Sequence, residues 1–166
     1  MNAIIYYYSR SGTTEKIAKE LAKKLDCEAE MVDDGVDRAG FFGLLRTGFH
    51  AMKKTGFKLK PLAHKPSDHD LVIIGTPIWG GNVSAPVLSL IKANKKKIKT
   101  AAFFSTAGDV KEQQGFACME EALGKPPVAK LHLGKQEIKD GYAPKMKKFL
   151  KALEGIGAKK KASGEL

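Results

Sequence analysis

The sequence predicts an α/β domain built on a doubly wound, five-stranded parallel sheet with helices on both faces. Two observations carry that prediction. Short runs of β-forming residues alternate five times with stretches whose apolar residues recur at helical spacing. Segments rich in hydroxyls and glycine follow the first, third and fourth runs, where an open parallel sheet carries its ligands. The 166 residues suit one buried core and no second domain.

Ile4-Ile5-Tyr6-Tyr7-Tyr8 is the first strand, ended by a Ser/Gly/Thr cluster. From Thr13 to Leu25 the residues Ile17, Ala18, Leu21, Ala22 and Leu25 line one helical face, with Glu15, Lys16, Lys19 and Lys23 between them. Cys27 to Val32 is the second strand, stopped by Asp33-Asp34-Gly35. Phe41, Phe42, Leu45, Phe49 and Met52 predict a helix from about Arg38 to Lys54, followed by a loop to Asp68. Leu71-Val72-Ile73-Ile74-Gly75 reads as the third strand, deeply buried. Ser84 is placed to cap a helix with Pro86 in its first turn, running to about Asn94. Ile98 to Ser105 is the fourth strand, and Lys111 to Leu123 a helix ended by Gly124 and two prolines. Val128 to Leu133 is the fifth strand, and a last helix spans about Ala143 to Leu153. The expected domain is therefore 1–154, with 155–166 a basic, flexible tail.

Composition narrows the function classes. Cys27 and Cys118 lie far apart and match neither a disulfide framework nor a metal motif, and His50, His64, His69 and His132 show no ligand spacing. No metal or covalent catalytic residue is expected. No apolar run is long enough to span a membrane, and the N-terminus carries no export signal, so the expected location is the cytoplasm. The 29 Lys plus Arg against 18 Asp plus Glu leave a net charge of +11, which favours anionic partners. The lysines are spread over the expected helix ends and turns, as in Lys95-Lys96-Lys97 and Lys145, Lys147, Lys148, Lys151, and no stripe of aromatics alternates with them. A specific nucleic-acid site is therefore not expected.

The three loops carry the chemistry. After the first strand, Ser9-Arg10-Ser11-Gly12-Thr13-Thr14 leads straight into a helix. Its hydroxyls, a turn-forming glycine and the free N–H groups of a helix start suit a phosphate. It lacks the Gly-Lys-Ser/Thr of an ATP-type loop and the three spaced glycines of a dinucleotide fingerprint. After the third strand, Gly75-Thr76-Pro77-Ile78-Trp79-Gly80-Gly81 sets the single tryptophan beside two glycines, an arrangement suited to a flat ligand. After the fourth, Ser105-Thr106-Ala107-Gly108-Asp109 offers small hydrogen-bonding groups for a heterocycle's rim.

In order and spacing these loops resemble those of the flavodoxin family. The match rests on Ser9-x-Ser11-Gly12-Thr13-Thr14 and Gly75-Thr76-Pro77-x-Trp79-Gly80, and the alternation extends it to about residue 154. The resemblance implies a flavodoxin-like sheet of order 2-1-3-4-5 holding one flavin mononucleotide (FMN) non-covalently. It implies phosphate at Ser9, Ser11, Gly12, Thr13 and Thr14, with Arg10 close by. Trp79 would stack on the ring, flanked by Thr76, Pro77, Ile78 and Gly81. The Gly80 peptide would face flavin N5, and Ser105, Thr106, Gly108 and Asp109 would border the pyrimidine side.

Two departures bear on function. Where family carriers place a second aromatic after the third loop, this chain reads Val110-Lys111-Glu112, which leaves the outer ring face open. The family carriers are acidic, whereas this chain is strongly basic. The leading expectation is an electron-transfer protein docking on a redox partner with an acidic surface. The alternative is an NAD(P)H- or quinone-linked FMN oxidoreductase on the same fold. A flavin-free phospho-receiver is disfavoured, because Gly75 or Thr76 stands where an aspartate is needed.

Overall fold

The computed structural model describes residues 1–33, 59–108 and 115–163. The strands are β1 (Ala3–Tyr7), β2 (Glu28–Met31), β3 (Leu71–Trp79), β4 (Asn82–Val83), β5 (Ala101–Ala107) and β6 (Lys130–Gly134). The helices are α1 (Thr13–Leu25), α2 (Ala85–Asn94), α3 (Gly115–Leu123), α4 (Lys135–Asp140) and α5 (Ala143–Ser163). The sheet runs β2-β1-β3-β5-β6 with parallel pairing throughout, and β4 adds antiparallel to the end of β3. With β4 set aside, this is the flavodoxin-like 2-1-3-4-5 order.

The two-residue period of each strand decides which helix covers it. Ile4, Tyr6, Val72, Ile74 and Phe103 face a layer closed by Val87, Leu90 and Ile91 of α2 and Phe116, Met119 and Leu123 of α3. Ile5, Tyr7, Leu71, Ile73 and Phe104 face the opposite layer, closed by Ile17, Ala18 and Leu21 of α1 and Met146, Phe149 and Leu153 of α5. Because both faces are buried, the central strands read as unbroken apolar runs rather than as alternating ones.

Several boundaries differ from the sequence expectation. β3 does not stop at Gly75 but continues through Thr76, Pro77 and Ile78 to Trp79, so the expected loop is largely strand. β1 ends with Tyr7 opposite Gly75, and beyond that point β3 keeps β5 as its only parallel neighbour. A proline is tolerated there because one side of the ladder is open. Gly80 (φ 55°) and Gly81 (φ 79°) then turn the chain back onto β4, pairing Trp79 with Asn82. Two consecutive positive φ values at a two-residue turn favour glycine, which has no Cβ to clash. The expected fourth and fifth strands shift one to three residues along the chain, to Ala101–Ala107 and Lys130–Gly134. The last helix runs to Ser163 rather than ending near Leu153. The short α4 was not anticipated; Glu137 stabilises its start by accepting the Gly134 N–H at 3.0 Å. The expected helix from Arg38 to Lys54 and the Asp109–Gln114 stretch lie outside the described residues.

Among the described residues no helix is long and apolar enough to cross a membrane, and no cluster of His, Cys, Asp and Glu could hold a metal ion. Cys27 and Cys118 are free thiols; burial pushes the Cys27 thiol up to about 11. The Cys27 thiol is therefore not poised to react as a thiolate at neutral pH.

Candidate functional site

The three motif-bearing segments meet at the carboxyl ends of β1, β3 and β5. They enclose a cleft of about 300 Å³ lined by Arg10, Ser11, Thr13, Thr14, Pro77, Ile78, Trp79, Thr106, Ala107, Gly108, Lys135 and Ile138. A larger groove of about 380 Å³ lies between residues 59–67 and the end of α2. Those segments lead into β3 and β5, so that groove sits at the opposite end of the sheet, away from all three motifs.

The first wall is the turn from β1 into α1. Gly12 occupies the N-cap position with φ 82°, in the left-handed region, and provides no capping side chain to the first N–H groups of α1. Ser11 and Thr13 sit at the opening with their hydroxyls 3.3 Å apart. Ser9 Oγ is buried and has no hydrogen-bond partner. A buried hydroxyl without a partner costs roughly 1–3 kcal/mol, which an anion seated against the loop would relieve. Thr14 is buried, and its hydroxyl meets that of Thr106 at 2.8 Å. It joins the phosphate-type turn to the β5 wall.

The second wall is the end of β3. Trp79 is half-buried, and its ring meets Tyr8 edge-on at 6.1 Å between centroids. The Arg10 guanidinium lies 5.3 Å from the Trp79 ring centroid, so the exposed Arg10 side chain lies along the cleft. The Gly80 carbonyl accepts a hydrogen bond from the Asn82 side chain at 3.1 Å. The third wall, Thr106 to Gly108, presents small groups, and a Cβ added to Gly108 would meet nothing within 4 Å.

Not every hydroxyl singled out in the sequence turns toward this cleft. Thr76 is fully buried; its hydroxyl donates to the Pro77 carbonyl at 3.0 Å and accepts the Ser84 N–H at 3.1 Å. Ser84 Oγ in turn lies 3.0 Å from Thr76 Oγ1, so Ser84 sits at the N-cap of α2 without capping it through its side chain. Ser105 bonds Nδ1 of His132 on β6 at 2.9 Å. Both residues share the face of Ile74 and Phe103, the one that α2 and α3 cover. Asp109 and Lys111 lie outside the described residues. Lys135 and Ile138 line the cleft although nothing in the sequence marked them. Their signal was tertiary: the Lys135 N–H donates to the Gly108 carbonyl at 3.0 Å and draws α4 against the third wall.

The residues present fit a flavin mononucleotide. An unpartnered buried hydroxyl and an uncapped helix start provide for the phosphate, a half-buried indole for the ring, and bare backbone at Gly108 for close approach. No carboxylate lines the cleft among the described residues, which leaves Arg10 and Lys135 to give it a positive character.

Comparison with known proteins agrees. Solved structures of similar fold include a flavoprotein from Lactobacillus acidophilus NCFM in complex with FMN, with 21% identity, TM-score 0.66, and 83% of this chain and 96% of that one covered. An apo-form NADH:FMN oxidoreductase aligns at 15% identity and TM-score 0.54, over 93% of this chain and 88% of that one. The two-electron reduced flavodoxin of Megasphaera elsdenii aligns at 14% identity and TM-score 0.50, over 79% and 85%. At these identities the likeness establishes the fold alone. A search of curated proteins gave no match. The model of the family described as NADPH-dependent FMN reductase matches residues 3–120, which include all three motifs. The chain belongs to that family and is an FMN-binding flavoprotein of flavodoxin-like fold.

Proposed function

We propose that the protein is an oxidoreductase that uses its FMN to take reducing equivalents from NAD(P)H and pass them to a small acceptor such as a quinone. The observation that carries this reading is the match to the NADPH-dependent FMN reductase family over residues 3–120. Two features of the cleft support it. Apart from Trp79, its lining residues include no aromatic among those described, which leaves room for a second flat molecule beside the ring. Arg10 and Lys135, with a net charge of +11 behind them, favour the approach of an anionic dinucleotide.

Bound FMN supplies the hydride-accepting centre, and the protein's own residues bind and orient it. In this reading Ser9, Ser11, Gly12, Thr13 and the start of α1 hold the phosphate. Trp79 and the Gly80 peptide support the ring, and Thr106 and Gly108 border its polar edge. Among the described residues no carboxylate or imidazole lines the cleft.

The basic surface also supports the carrier reading, in which an acidic redox protein docks over the cleft. One assay separates the two. FMN-loaded protein is given NADH or NADPH with a quinone or free FMN as acceptor, and nicotinamide oxidation is followed. Sustained, saturable turnover is the expected result. Absence of turnover with both nucleotides, together with rapid reduction by an acidic redox protein, would overturn the enzyme reading in favour of the carrier.

A further inference from the structure

Among the described residues, five lysines are paired with carboxylates. Lys19 pairs with Glu15, Lys24 with Glu20, Lys60 with Asp33, Lys130 with Glu120 and Lys145 with Glu137. Lys135 is different. It lines the cleft together with Ser11, Thr13 and Thr14, and among the described residues no carboxylate pairs with it. The nearest acid in sequence is Glu137, but its two oxygens are taken by the Gly134 N–H at 3.0 Å and by Lys145 Nζ at 2.5 Å. The Lys135 backbone is meanwhile fixed to the Gly108 carbonyl at 3.0 Å. The first turn of α4 thus has its carboxylate engaged and holds its first cation in the cleft wall.

The position within the cleft is equally specific. Ile138, one turn further along α4, packs in the same core layer as Ile17 and Leu21 of α1. Lys135 therefore stands on the α1 side of the sheet, beside the phosphate-type turn, whereas Trp79 packs against the opposite layer. The phosphate-type turn itself offers hydroxyls and N–H groups but, apart from Arg10 over the Trp79 ring, no cation.

We propose that Lys135 is a phosphate-binding residue, supplying a counter-charge to the terminal phosphate of FMN from outside the first loop. The inference rests on the reading that this loop seats the phosphate. It makes the preference for FMN over riboflavin partly electrostatic, and so dependent on salt.

The test is a set of titrations of the flavin-free protein with FMN and with riboflavin, at low and high salt, for wild type, Lys135→Gln and Lys135→Arg. Lys135→Gln should weaken FMN binding about tenfold at low salt, the scale of a charge-assisted hydrogen bond near the surface, and leave riboflavin binding unchanged. Its FMN affinity should respond less to salt than that of wild type, and Lys135→Arg should restore most of the preference. Lys135 is exposed, so melting temperatures of the three proteins should coincide and a folding defect would be visible. An FMN-to-riboflavin ratio unchanged in Lys135→Gln, or equal losses for both ligands, would overturn the proposal while leaving the first loop's role standing. A wild type that binds the two flavins equally would overturn both.

Discussion

Thr14 Oγ1 and Thr106 Oγ1 lie 2.8 Å apart in the buried floor of the cleft, joining residues 92 positions apart in the chain. Thr14 lies in the first turn of α1, and Thr106 sits near the end of β5, so this contact sets the distance between the phosphate-type turn and the third wall. Replacing either residue with valine leaves the other hydroxyl buried without its partner. Each of Thr14→Val and Thr106→Val should lower stability by about 1–2 kcal/mol. The double variant should lose clearly less than the sum, because the second change removes the orphaned group. Denaturant unfolding of the four proteins checks this; additive losses would mean that the hydroxyls do not interact.

Trp79 is the single tryptophan, so its emission reports on one position. FMN binding should quench it strongly. Trp79→Ala should weaken FMN binding by about 1 kcal/mol or more, the scale of an aromatic stacking pair. Because Arg10 already lies over the indole, Arg10→Ala should change the emission of the flavin-free protein as well. Unquenched emission on FMN addition would show that the ring stacks elsewhere.

Gly75 stands in the middle of β3 with no room for a side chain. A Cβ there would lie 2.0 Å from Cζ of Phe104, a fully buried ring with nowhere to move. Gly75→Ala should therefore destabilise the protein by about 2–3 kcal/mol through overpacking. A combined Gly75→Ala/Phe104→Leu variant should recover part of the loss. Thermal melts measure both.

Glu137 holds the start of α4, and the Lys145 ammonium and the Gly134 N–H keep its carboxyl below the ordinary glutamate range. A carboxyl depressed in the folded state contributes stability above its unfolded value and loses it as pH falls through the folded one. The difference between wild type and Glu137→Gln should thus be present at neutral pH and vanish in acid. The pair is exposed, so the effect should not exceed about 0.5 kcal/mol and should shrink with salt. Unfolding curves across acid to neutral pH would reveal a pH-independent difference if the pairing contributes nothing.

The alternation of strands and helices and the hydroxyl–glycine loops were legible in the sequence because they rest on local signals, whereas the strand order was implied only by the resemblance to the flavodoxin family. Apolar runs at Ile4–Tyr8 and Leu71–Gly75, the helical spacing of Ile17, Ala18 and Leu21, and the hydroxyl–glycine turn at Ser9–Thr14 need only near neighbours. What the side chains do at the site was decided elsewhere. β3 continues to Trp79 because β4 and β5 pair with it, and that extension, with its two-residue alternation, sends Thr76 into the α2 face. The same alternation in β5 gives Ser105 to His132 and Thr106 to Thr14. Lys135 joins the cleft only because its N–H reaches Gly108 across the sheet. Local periodicity says that a strand or a helix forms. Which way a hydroxyl points, and which distant cation stands beside it, depends on strand register and layer packing, and those exist only once the chain has closed on itself.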